Sequence, residues 1–117
     1  MNKITVYEKP TCTTCRKVVK ILQENGIDFE RVNYYIEPFK KNQLKALLKK
    51  MNMKPSELLR KNEEAYKKLK PQIEKLSEDE ILNKMIENPD LVQRPIVEKG
   101  KKAILARPPE NINILFR

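Results

Sequence analysis

The first 35 residues carry a short extended run, a Cys-Thr-Thr-Cys pair, an amphipathic helix and a second extended run, with almost no loop between them. Lys3-Ile4-Thr5-Val6-Tyr7 alternates as a strand does and ends before Pro10. From Thr13 to Glu24, Val18, Val19, Ile21 and Leu22 form one apolar helical face, and Asn25-Gly26 supplies the stop. Ile27 to Tyr35 reads as a second strand. Two strands joined by a helix must run parallel, with a right-handed crossover. A buried parallel pair in turn demands further strands or helices to cover it, so this opening excludes an all-α or an all-β fold.

The rest of the chain completes that sheet. Glu37-Pro38 interrupts the pattern. Asn42 is read as the cap of a helix bearing Leu44, Leu47 and Leu48, and Pro55–Leu59 as a short helix with proline in its first turn. Another helix is expected to begin at Asn62-Glu63-Glu64. Ser77-Glu78-Asp79-Glu80 is a capping box ahead of Ile81, Leu82, Met85 and Ile86. Arg94–Glu98 and Ala103–Ala106 flank a turn containing Gly100 and are read as a hairpin, and Pro108-Pro109-Glu110 opens a last short helix. The expected architecture is α/β: a single domain over 1–117 with a thioredoxin-like four-stranded mixed sheet from 1–36 and 90–117 and a helical insertion over 37–89.

Composition narrows the function. No run of about 18 apolar residues is present, so no membrane span is expected. The opening residues lack a signal-peptide pattern, and the chain is read as cytoplasmic. The net charge of +9 points toward nucleic acid, but the lysines are scattered along helical segments among glutamates, which is the pattern of solvated faces. No nucleic-acid partner is expected, and the chain is read as a monomer. With no histidine in the sequence, that residue cannot be a general base.

Cys12 and Cys15 are the only cysteines. Cys12 stands at the head of the first helix, where unpaired N–H groups favour a thiolate. Cys15 lies one turn on, with Cβ atoms about 5–6 Å apart at that spacing, within adjustment of disulfide reach. Cys12 is therefore read as the attacking thiol and Cys15 as the resolving one. Two small core residues, or half of a zinc site shared between chains, are the alternatives; within one chain the ligands for zinc are too few. Glu8 opposes ionisation of Cys12 if it lies near, whereas Lys9 and Arg16 favour it.

The chain has six arginines against nineteen lysines. Three of the six stand at structural joints: Arg60 after Leu58-Leu59, Arg94 before Pro95 and Arg107 before Pro108. A guanidinium pairs two oxygens of an oxyanion at once. Residues before proline are held extended, and Arg94-Pro95 is a candidate cis bond. Three surface charges at element ends are the alternative reading.

Taken together, Cys12-Thr13-Thr14-Cys15-Arg16, Leu58-Leu59-Arg60-Lys61-Asn62, Arg94-Pro95-Ile96-Val97 and Ala106-Arg107-Pro108-Pro109-Glu110 resemble the ArsC family of glutaredoxin-dependent arsenate reductases, which also includes the Spx transcriptional regulators. The resemblance implies a catalytic cysteine at Cys12 and oxyanion-binding arginines at Arg60, Arg94 and Arg107. It implies arsenate as substrate, no bound cofactor or metal, and glutathione with glutaredoxin, or thioredoxin, as external reductant. The chain departs from the reductases at Cys15, where Spx proteins also carry a second cysteine, and at Glu8, where the well-known reductases tend to have histidine. The competing implications are a redox-sensing regulator that binds RNA polymerase, or a thiol reductase with another substrate.

Overall fold

The computed structural model describes residues 3–116; Met1 and Asn2, part of the alternating opening stretch, and Arg117 lie outside the described residues. The chain forms two compact units, one holding the residues up to Glu37 and from Arg94 onward, the other Pro38–Gln93.

The first unit is a four-stranded sheet in the order β2-β1-β3-β4, built from β1 (Ile4–Glu8), β2 (Phe29–Asn33), β3 (Ile96–Lys99) and β4 (Lys102–Leu105). β1 and β2 are parallel, while β3 is antiparallel to both β1 and β4. This is the thioredoxin-like mixed sheet. Helix α1 (Thr13–Glu24) makes the crossover between β1 and β2. Ile4 and Val6 point to one face by the alternation of a strand and meet Val18 and Leu22 of α1, Val97, Ala106, and Ile112 and Leu115 from the C-terminal 3-10 segment Pro109–Phe116. Burial of that cluster holds α1 against the sheet.

Local chemistry explains the boundaries. Gly26, at φ +64°, lets the Ile27 N–H reach the Leu22 carbonyl at 3.0 Å and close α1 with a Schellman turn. β2 is shorter than the Ile27–Tyr35 run suggests, because it is an edge strand whose tail turns away at Asn33, whose side-chain oxygen accepts from the Tyr35 N–H at 3.0 Å. The last helix is a 3-10 segment, following Arg107-Pro108, which is cis, as is Arg94-Pro95.

The second unit comprises α2 (Lys41–Met51), a 3-10 turn at Pro55–Leu58, α3 (Glu64–Ile73), α4 (Glu78–Glu87) and a 3-10 turn at Pro89–Leu91. Leu44, Leu47, Leu48, Leu58, Tyr66, Ile73, Ile81, Leu82, Met85 and Leu91 are among its buried apolar side chains. Its boundaries correct several expectations. Asn42 does not cap α2; the cap position is Lys40, whose N–H donates to the Gln43 side chain at 3.2 Å. α3 begins at Glu64 and carries Pro71 inside it. Ser77 and Glu80 form the expected reciprocal capping box, at 3.2 and 3.1 Å. The unit extends to Gln93 and not to residue 89. The reason is a short antiparallel bridge between Leu59 and Val92, in which the Arg60 N–H donates to the Leu91 carbonyl at 2.7 Å and the Gln93 N–H to the Leu58 carbonyl at 3.0 Å.

Candidate active site

Cys12 is the N-cap of α1, with extended backbone (φ −78°, ψ 126°). Its Sγ occupies the place of a capping oxygen and accepts from the Cys15 N–H at 3.4 Å. The loop before it is tied by the Cys12 N–H to the Lys9 carbonyl at 2.9 Å and by Arg16 Nε to the Pro10 carbonyl at 3.1 Å. Both thiols are free, Cys12 partly exposed and Cys15 buried.

The two sulfurs differ sharply in acidity. Partial burial pushes the Cys12 thiol up, but hydrogen bonds from the Cys15 thiol and amide and from the Arg94 guanidinium outweigh it and hold Cys12 below its ordinary value. Burial first, and then its hydrogen bond to Cys12, push Cys15 up to about 12. Cys12 is thus the more readily ionised sulfur, while Cys15 stays protonated until something removes its proton. The expected consequence is selective modification. With iodoacetamide at neutral pH, Cys12 alkylates and Cys15 does not, and the rate falls only as pH drops through the lowered Cys12 value. Peptide mapping after a pH series checks this; equal labelling of both cysteines would contradict it.

Arg94 precedes β3 and is 5% exposed. Its Nη1 donates to the Tyr35 hydroxyl at 3.0 Å, and its guanidinium carbon lies 5.8 Å from the Tyr35 ring centroid. Burial works against its charge, but Tyr34, Tyr35 and Cys12 more than offset this and hold it above its ordinary value. Its Nε is buried without a hydrogen-bond partner. An orphaned buried donor on a cation is costly unless something occupies it. Arg107, exposed, reaches back with Nη1 to the Arg94 carbonyl at 3.4 Å. The Lys9 ammonium lies 4.8 Å from the Tyr35 ring centroid.

Within the first unit, then, the structure brings Cys12, Cys15, Arg94 and Arg107 together. Arg60 belongs to the second unit, where its backbone is pinned by the bridge to Leu91 and its Nη1 pairs with Glu63 at 2.8 Å. Glu8 does not act on Cys12 as the sequence suggested. It is turned under α1, bonded to Arg31, and its charge falls on Cys15. Neither Lys9 nor Arg16 is among the groups that set the acidity of Cys12. Sequence reasoning missed Tyr34, Tyr35 and Arg31. A signal for the tyrosines existed: they follow the C-terminal end of β2, and the C-terminal ends of parallel neighbours share one sheet edge. Among the described residues, no group of three or more His, Cys, Asp or Glu is placed to hold a metal, and no helix is long and apolar enough to cross a membrane.

A thioredoxin-like sheet with an acidic thiol capping its first helix, a second thiol one turn on and a buried guanidinium at the first defines a thiol-chemistry protein. The chain belongs to the ArsC family, whose model matches residues 7–115. It is similar to the uncharacterized protein YfgD of Escherichia coli, 37% identical over 112 residues covering 95% of this chain and 94% of the relative. It is also similar to an arsenate reductase of Acidiphilium multivorum, 32% identical over 110 residues, or 94% of this chain and 78% of the relative. Among solved structures, an arsenate reductase from Vibrio cholerae superposes with a TM-score of 0.88 at 29% identity, covering 95% of each chain.

Proposed function

We propose that the protein reduces arsenate to arsenite at the expense of thiols. The observation that carries this reading is the Arg94 guanidinium, buried, near enough to lower the pKa of Cys12 and left with an unpartnered Nε. A tetrahedral oxyanion supplies the acceptor that Nε lacks, and the head of α1 favours the same negative charge. Arg107 adds a second guanidinium at the exposed side. Arg60 is the third that the family resemblance implies.

The chemistry then runs on two electrons. The Cys12 thiolate attacks arsenic and expels one oxygen as water, leaving a sulfur–arsenic bond. A second thiol attacks the Cys12 sulfur; a disulfide forms, and arsenic departs with the electron pair of the broken bond as arsenite. Cys15 is placed to be that second thiol, with glutathione the external alternative. A dithiol reductant of the thioredoxin or glutaredoxin class then restores the pair.

The test is NADPH oxidation coupled to glutathione and glutaredoxin, or to thioredoxin, with and without arsenate. Arsenate-dependent oxidation is expected in at least one system. Replacing Arg60 by Ala is expected to raise KM for arsenate about tenfold, a loss in the range of one charged hydrogen bond. No arsenate dependence with either donor, together with retention of the RNA polymerase α subunit on the immobilised protein, would favour the regulator reading instead.

A further inference from the structure

Among the described residues of the first unit, the carboxylate of Glu8 is the buried charge that the chemistry above does not use. Strand alternation puts Ile4, Val6 and Glu8 on one face of β1. That face packs against Val18 and Leu22 of α1, whose buried stripe continues one turn earlier at Cys15. An apolar side chain would complete the packing under Cys15. Instead the position holds a glutamate that is 1% exposed.

The way that glutamate is paired is informative. Arg31 sits on the same face, its Cα partner in the register being Val6. Its Nε and Nη2 both donate to Glu8 Oε1, at 3.0 and 2.6 Å. A purely structural pair would spread the two donors over both carboxylate oxygens. Here Oε2 is buried and has no hydrogen-bond partner. The charged or titratable neighbours of this carboxylate are Arg31 from β2 and Cys15 from α1. β3 presents Val97 to the same face. One residue past Glu8 the chain turns tightly into α1, the Cys12 N–H donating to the Lys9 carbonyl at 2.9 Å.

We propose that Glu8 is the proton acceptor for Cys15: the free carboxylate oxygen takes the thiol proton as Cys15 attacks the sulfur of Cys12. This rests on the reading that Cys12 attacks and Cys15 resolves. It supplies what the resolving step lacks. A thiol held at about 12 is ionised to only about one part in 10⁵ at neutral pH, so it needs a base within the protein. In the balanced step, the Cys15 S–H bond breaks and its proton goes to Glu8. The Cys12–Cys15 bond forms, and the group on Cys12 leaves with its bonding electron pair. Glu8 then returns the proton to the leaving group or to water. Arg31 holds Glu8 through Oε1 alone and leaves Oε2 open.

A test needs no arsenate. Dithiobis(nitrobenzoate) reacts with Cys12, releasing one nitrothiolate and leaving a mixed disulfide; Cys15 then attacks and releases the second. The wild-type second phase is expected to be flat through neutral pH and to fall only in acid, and Cys15→Ser to lack it. Glu8→Gln is expected to leave the first phase little changed and to slow the second about 100-fold at neutral pH, with a rise of about tenfold per pH unit. Glu8→Asp is expected to recover part of the rate. An unchanged second phase in Glu8→Gln, or a wild-type second phase that climbs tenfold per unit through neutrality, overturns the proposal while the arsenate assay stands on its own. If circular dichroism shows Glu8→Gln to be misfolded, the wild-type profile and Glu8→Asp decide. Absence of a second phase in the wild type overturns it too, by removing Cys15 from resolution.

Discussion

Replacing Cys12 by Ser lowers arsenate-dependent turnover by about four orders of magnitude or more with every thiol donor, as expected when the nucleophile of a coupled set is removed. The substitution is informative because it spares the fold. Serine is among the most favoured N-cap residues, so its hydroxyl takes over the capping hydrogen bond that the Cys12 sulfur now makes to the Cys15 N–H. Circular dichroism and thermal midpoint are therefore expected to stay at wild-type values while activity is lost. Cys15 cannot substitute, since it is buried and held at about 12. Cys15→Ser separates the donors: activity with glutathione and glutaredoxin persists, and activity with thioredoxin, which needs the internal disulfide, disappears. Full activity of Cys12→Ser with any donor would end the proposed mechanism, and thioredoxin-driven turnover of Cys15→Ser would end the resolving role.

The second large effect is at Arg94. Exchange for Leu is expected to reduce kcat/KM about 10²- to 10³-fold, the range for removal of one preorganised donor to an oxyanion. The same exchange removes a hydrogen bond and a charge that hold Cys12 acidic, so the alkylation profile of Cys12 moves to higher pH. Stability should change little. Arg94 is a buried cation with an unpartnered Nε, and among the described residues no carboxylate pairs with it. Tyr34, Tyr35 and Cys12 more than offset the desolvation of that charge, so an apolar replacement is expected to stay within about 1 kcal/mol of the wild type. Urea unfolding followed beside the kinetics measures both. A marked fall in stability would identify Arg94 as a structural residue and weaken the functional reading. Unchanged stability with loss of activity is the signature of a residue kept for the site and not for the fold.

The two units differ in how much of them could be read beforehand. Helix α1 was legible to its ends, because Cys12, the Val18-Val19-Leu22 stripe and Asn25-Gly26 each act within one helical turn of the residue they constrain. The capping box at Ser77 was legible for the same reason. Where a boundary depended on a distant partner, local reading failed. The unit that holds Pro89–Gln93 is set by hydrogen bonds to Leu58 and Arg60, some 30 residues away in sequence, and no local signal carries that. β2 stopped early because an edge strand has one neighbour to hold it, and its tail was free to turn at Asn33.

The candidate site divides in the same way. The type and spacing of its groups — an acid-prone thiol at a helix start, a second thiol one turn on, arginines before prolines — follow from the sequence, because backbone geometry around each is local. Which charge acts on which sulfur does not. Glu8 lies four residues before Cys12 and seven before Cys15, yet the pleat of β1 turns it to the α1 face, where its charge acts on Cys15 and Arg31 arrives from the neighbouring strand to pair with it. Arg94 reaches Cys12 from 82 residues further along the chain. The sequence by itself determined the chemical repertoire and the βαβ frame. Only the tertiary structure decided the pairing of charges with thiols, since electrostatic interactions act through space at a few ångströms and are indifferent to separation along the chain.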